Sequence, residues 1–171
     1  MSDSNEFKKN NFFLSKKNDL ICISASLLIF FFDRISKTKI INHQIENSKI
    51  YINDFINFDL VWNTGIAFGL LSFNASYMYN SISAIIALVI LFLIYLMFKS
   101  KFIDKILLSM IIGGALGNLY DRITLFAVPD FIDLHYLNFH WFTFNIADIF
   151  ITVGVITLII KDLFNKNEKN Q

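Results

Sequence analysis

The chain has 171 residues, 55% of them hydrophobic with 20 Phe, and a mean hydropathy of +0.53. Soluble domains of this size are less apolar, so the composition points to one membrane domain. A net charge of +1 argues against a nucleic-acid partner, and a lone cysteine, Cys22, excludes a disulfide framework and a cysteine-based metal site.

In chain order, residues 1–19 read as a disordered or surface-lying tail rich in Asn and Lys. The apolar run 20–41 follows, long enough to cross a bilayer by the rule of about 20 residues per helix. It continues into "DRISKTKI" with no small-x-small cleavage site, so it reads as an uncleaved anchor, with Cys22 as a small buried residue. Residues 42–76 form the longest connection. There "KIYINDFINFDLVWN" has strand-like composition and "TGIAFGLLSF" mixes turn and apolar residues, so the loop is expected to lie at the outer membrane face or fold over the helices. Further spans read at 77–98, 103–120 and 141–160, an aromatic outer loop at about 122–140, and a polar tail at 161–171. Backbone groups in lipid must be satisfied within each segment, and no series of ten-residue alternating strands is present to close a barrel. The expected fold class is an all-α membrane protein with four transmembrane helices and an outer-face loop subdomain suited to short β-strands.

Orientation follows from basic residues near span ends. Lys8, Lys9, Lys16 and Lys17 precede the first span, Lys99, Lys101 and Lys105 join the second to the third, and Lys161, Lys166 and Lys169 follow the fourth. Both termini are therefore expected in the cytoplasm. On that map Asp33, Arg34, Lys37, Asn63, Asn118, Asp121, Arg122, Asp130, Asn145 and Asp148 all fall toward the outer side. Ionisable groups within spans are costly and mark functional sites.

Each of these residues also has a plain structural reading. Asp33 and Lys37, four apart, share a helix face and can pair simply to make the span insertable. Gly113 and Gly117 have the small-xxx-small spacing of close helix packing. Asp121 beside Arg122 reads as a neutralised pair at a helix end. Asp148 suits a helix start capped by Asn145, and Asp130 after Pro129 suits a loop corner. Taken together, though, Asp130 and Asp148 are two carboxylates on one face of a small bundle, which is what an aspartic dyad needs. Two close carboxylates share a proton, so one is a base for water while the other is an acid for the carbonyl oxygen. His43, His135 and His140 lack metal-ligand spacing, no serine sits in a nucleophile elbow, and no phosphate-binding Gly-rich pattern is present. His135 and His140 read as interface residues. The competing reading is a small ion or proton-coupled transporter using the same aspartates, which expects ionisable groups nearer the membrane midplane.

The ordered segments "DRISK" (33–37), "NTGIAF" (63–68), "GGALGNLYDR" (113–122), "VPDF" (128–131) and "FNIAD" (144–148) resemble the motif series of the bacterial lipoprotein signal peptidases, or signal peptidase II, over nearly the whole chain. The resemblance implies a four-span inner-membrane aspartic protease that removes signal peptides from prolipoproteins, cutting just before a diacylglyceryl-modified cysteine. It implies catalytic roles for Asp130 and Asp148. Asp33, Lys37, Asn63, Gly65, Asn118, Asp121, Arg122 and Asn145 match positions that shape the site or hold substrate. It also implies no metal or other cofactor, a lipid-anchored prolipoprotein as partner, and a monomer in membrane lipid. Two positions depart from the pattern: Arg34 stands where a glutamine is usual, and Pro129 where a β-branched residue is usual.

Overall fold

The computed structural model describes the backbone of residues 2–46, 49–65 and 75–169. The elements in order are α1 (Ser2–Glu46), β1 (Ile50–Asn53), β2 (Ile56–Asn63), α2 (Ala75–Lys99), α3 (Phe102–Thr124), β3 (Val128–Tyr136), β4 (Phe139–Phe144) and α4 (Ile146–Lys169). Among the described residues, Tyr79–Lys99 of α2 and all of α3 are long and apolar enough to cross a membrane, with mean hydropathies of 2.8 and 1.5. On α2 the apolar residues Ile85, Leu88, Leu91, Phe92 and Tyr95 are exposed. A helix that is apolar all round and turns those side chains outward is suited to lipid rather than water.

α3 packs against all three other helices. Its glycines make this possible: a Cβ at Gly113 would stand 2.6 Å from the Ser26 carbonyl oxygen of α1, and one at Gly114 2.5 Å from the Ala147 carbonyl oxygen of α4. The packing role expected for Gly113 is thus what the structure shows, and Cys22 is fully buried in the core with Ile90, Met97, Leu108 and Ile112. Away from the sheet the bundle is closed by ion pairs of Lys105 with Asp19 and of Lys161 with Asp104.

The strands form one antiparallel sheet in the order β1-β2-β3-β4. Ile40 near the end of α1, Phe131 and Ile132 of β3, and partly buried Ile56, Phe58, Phe144 and Ile146 make a second core that fixes the sheet against the helix ends. The strand character of 49–63 appears as expected; the all-α expectation is otherwise corrected. Much of the second aromatic loop is β3, and residues 139–144 are β4, so the last helix begins at Ile146 rather than at 141. Backbone donors there pair across the hairpin instead of along a helix, in the register Ile132↔Phe144 to Tyr136↔Phe139. The polar ends also differ from the expected tails, since α1 runs from Ser2 and α4 to Lys169. Each extends a long helix, and propagation adds one hydrogen bond per residue without a new nucleation cost.

Candidate active site

Asp130 lies within β3, not at a loop corner. Its neighbour Pro129 pairs with Trp62 of β2, and the β4 pairing begins only at Ile132. Residues 128–130 therefore have a strand on one side alone, a place where a residue without an N–H is tolerated. Leaving that side open also lets Asp130 face the start of α4.

Asn145 caps α4 as expected. Its Oδ1 accepts the Asp148 N–H at 3.0 Å, and Asp148 Oδ2 accepts the Asn145 N–H at 3.1 Å, a reciprocal box that satisfies two first-turn donors. The cap's other end does something a cap does not require: Asn145 Nδ2 donates to Asp130 Oδ1 at 2.6 Å. Asn63 Nδ2 donates to the other oxygen, Oδ2, at 2.9 Å, and the Gly65 N–H donates to Asn63 Oδ1 at 2.8 Å. Gly65 adopts φ +71°, a turn that favours glycine.

On the far side of Asp148, Asn118 Nδ2 donates to its Oδ1 at 2.8 Å, and Lys37 Nζ donates to Asn118 Oδ1 at 2.9 Å. Lys37 is fully buried and also lies 2.7 Å from both Asp33 Oδ2 and Asp121 Oδ2. Asp121 in turn pairs with Arg34, whose guanidinium lies 4.5 Å from the Tyr120 ring centroid. Two cations thus face two carboxylates, the arrangement that makes buried charge tolerable. Asp33 Oδ1 accepts the Ala147 N–H at 2.9 Å, so an acceptor from a different helix satisfies a further orphan donor of α4. Gly117 makes room for this, because a Cβ there would stand 2.5 Å from Asp33 Oδ2.

The expected Asp33–Lys37 pair is present. The expected pairing of Asp121 with Arg122 is not: Arg122 turns back to donate to the Asn118 carbonyl oxygen at 3.1 Å, leaving Asp121 to Arg34 and Lys37. Adjacent residues on a helix point in different directions, so neighbouring letters were a poor guide to the partner. Arg34, placed by sequence on the outer side and noted as a departure from the family pattern, proves to be part of the network through Asp121.

Burial pushes the Asp130 carboxyl above the usual carboxylate range; the amides of Asn63 and Asn145 oppose this in part, the Asp148 charge adds to it, and Lys37 opposes it. Two grooves open beside the aspartates. One, of about 450 Å³, is lined by Val61, Trp62, Asn63, Gly65, Asp130 and Thr143. The other, of about 480 Å³, is lined by Phe142, Thr143, Phe144, Asp148, Ile149 and Val153. Thr143 borders both, a residue sequence reasoning missed because only the β3–β4 register, in which it pairs with Asp133, brings it to the grooves. Phe68, of the expected loop motif, lies outside the described residues, as does Phe73.

The fold has a clear counterpart. A solved bacterial membrane enzyme, determined by the in meso method at 2.3 Å, matches with a TM-score of 0.70 and 29% identity, covering 87% of this chain and 91% of that one. A second, at 1.9 Å, matches with a TM-score of 0.68 and 30% identity over 84% and 92%. The protein is thus a membrane enzyme of bacterial type. Residues 25–164, which contain all five motifs, match the family described as Signal peptidase (SPase) II. The lipoprotein signal peptidase of Pelagibacter ubique (strain HTCC1062) is 49% identical over 158 residues, 91% of this chain and 95% of its own. That of Anaplasma phagocytophilum (strain HZ) is 37% identical over 157 residues, 90% and 99% of the two chains. The chain belongs to the signal peptidase II family and is a peptidase.

Proposed function

We propose that this protein is an intramembrane aspartic endopeptidase that removes the signal peptide of diacylglyceryl-modified prolipoproteins, cutting just before the lipidated cysteine, with Asp130 and Asp148 as the catalytic pair. The observation that carries this reading is the single buried side chain of Asn145, hydrogen-bonded to both Asp130 and Asp148, each of which lines a groove. The relatives' printed name supplies the substrate class.

Asp130, raised above the usual range, holds the proton of the pair, and Asp148 is the base. Asp148 takes a proton from water, whose oxygen attacks the scissile carbonyl carbon, while Asp130 passes its proton to the carbonyl oxygen. Collapse of the resulting gem-diol returns one hydroxyl proton to Asp130 and breaks the C–N bond as Asp148 protonates the departing amine. Asn63, Asn118 and Asn145 donate N–H groups that hold both carboxyls in place. The apolar groove beside Asp148 suits the hydrophobic signal peptide, and exposed Trp62 lines the neighbouring groove beside Asp130.

All four helices cross the inner membrane in this reading, with both termini in the cytoplasm, the sheet on the outer face and the enzyme acting as a monomer. The basic residues near 8–17, 99–105 and 161–169 support that orientation. A lipid-anchored substrate then presents its cleavage site at the level of Asp130 and Asp148. The test is a gel-shift assay of purified protein on a diacylglyceryl-modified prolipoprotein. Asp130→Asn and Asp148→Asn are each expected to abolish cleavage while the protein still unfolds cooperatively; full activity in either variant overturns the dyad.

A further inference from the structure

Asp133, His135 and His140 lie outside the network just described. Asp133 and His135 are two apart on β3, and His140 stands opposite His135 in the β3–β4 register, so one hairpin gathers three metal-ligating side chains. One ligand atom from each lies within 4.8 Å of the others. The His140 Nδ1 is 2.8 Å from Asp133 Oδ2, the His135 Nδ1 is 3.6 Å from the same oxygen, and the two imidazoles stack with centroids 5.4 Å apart. Two donors about 2.1 Å from a tetrahedral ion stand about 3.4 Å apart, within the observed spread.

The second observation is an orphan. His135 is only 6% exposed, yet its Nδ1 has no hydrogen-bond partner, and an Asp133–His140 ion pair by itself leaves it so. On the other side of the ring, the Asn57 amide lies 3.3 Å from His135 Nε2, with Asn57 Oδ1 also unpartnered. The two ends of an amide are alike in shape. With Oδ1 turned to the ring, Asn57 accepts the Nε2–H and the lone pair of Nδ1 points at Asp133, the tautomer that metal-ligating histidines have when their outer nitrogen is held. We infer that Asp133, His135 and His140 form a binding site for a divalent transition-metal ion of the zinc class, with water completing the shell on the side where the His140 side chain is 51% exposed. Because Asp133 pairs with Thr143 in the hairpin, a bound ion braces the strand that borders both grooves. The inference stands on this hairpin alone and is independent of the proposed peptidase mechanism.

The test uses full-length protein in detergent, purified without a polyhistidine tag, stripped with EDTA and titrated with Zn²⁺, and in parallel with Co²⁺. Wild type is expected to take up one equivalent of Zn²⁺, to show the absorption bands of tetrahedral Co²⁺, and to melt at a higher temperature with Zn²⁺ than in EDTA. Asp133→Asn and His140→Ala are expected to weaken uptake at least about tenfold, and Asn57→Ala about 10- to 100-fold, while His43→Ala leaves it unchanged. Melting in EDTA separates loss of the site from loss of the fold, and His140→Asn replaces His140→Ala if the latter unfolds. No stoichiometric uptake by wild type, or equal uptake by a folded His140 variant, overturns the inference.

Discussion

Asn145 Nδ2 donates to Asp130 Oδ1 across 2.6 Å, joining the residue before α4 to the first part of β3. The same side chain caps α4 through its Oδ1, so a local helix signal and a contact to Asp130 are made by one amide. These two duties can be separated. Asn145→Ser keeps a cap acceptor but does not reach Asp130, so stability is expected to stay within about 0.5 kcal/mol of wild type, whereas Asn145→Ala loses about 1 kcal/mol. Both variants are expected to lose at least tenfold in kcat. Thermal unfolding and prolipoprotein cleavage measured together decide it: a Ser variant of full activity would limit Asn145 to capping.

Lys37 is the shared cation of two buried carboxylates. Lys37→Met leaves Asp33 and Asp121 with Arg34 alone, and breaking a buried pair in this way costs about 3–5 kcal/mol. Adding Asp33→Asn removes the surplus charge and keeps an oxygen for the Ala147 N–H. The double variant is therefore expected to recover a large part of the loss in chemical or thermal unfolding. A double variant no more stable than the single one would refute the charge argument.

Gly117→Ala drives a Cβ to within 2.5 Å of Asp33 Oδ2, so α1 and α3 must separate or Asp33 must leave the Ala147 N–H. The expected cost is about 1–3 kcal/mol, as for other overpacked cores. Gly65→Ala meets no atom within 4 Å, and its cost comes from a left-handed backbone alone, about 1 kcal/mol. Melting temperatures in detergent should rank Gly117→Ala as the worse of the two.

Asp130 gives a pH dependence of defined sign. Its folded carboxyl titrates above the usual carboxylate range because burial disfavours the charge, so folding is most favoured where the group is protonated in both states. That stability is lost as pH rises from the ordinary value of 3.8 through the raised folded value. Asp130→Asn cannot ionise, so its melting temperature relative to wild type should climb over this window, by about 2–4 °C for each kcal/mol of ionisation cost in a chain of this size. A difference that stays flat with pH would show that Asp130 is not held protonated. In the proposed mechanism cleavage requires the same proton on Asp130, so wild-type activity should fall on the alkaline side as the pair loses it.

The hydropathy pattern was enough to place α2 and α3 within a few residues of their ends and to put a helix over 20–41, which α1 extends to Ser2 and Glu46, because an apolar run of about 20 residues has few other ways to satisfy its backbone. It placed the start of α4 about five residues early, since β4 is rich in aromatic residues and runs straight into the apolar helix, and composition does not distinguish an aromatic strand from a helix start. The five motifs pointed to Asp130, Asp148 and the asparagines now seen around them. They did not reveal that Arg34 serves Asp121, that Thr143 borders both grooves, or that His135 and His140 meet over Asp133.

The division has a physical cause. Sequence alone determined what local chemistry dictates: which segments are apolar, where a cap residue begins a helix, which pairs four apart share a face, and which short motifs mark a family. Tertiary structure decided every partner that is distant in the chain, such as Lys37 for Asp121, Asp33 for the Ala147 N–H and Asn145 for Asp130. Those pairings depend on how closely α1, α3 and α4 approach at glycine and on the strand register that aims β3 at the start of α4. Neither is encoded in any single stretch, because each is settled by the packing of several segments at once.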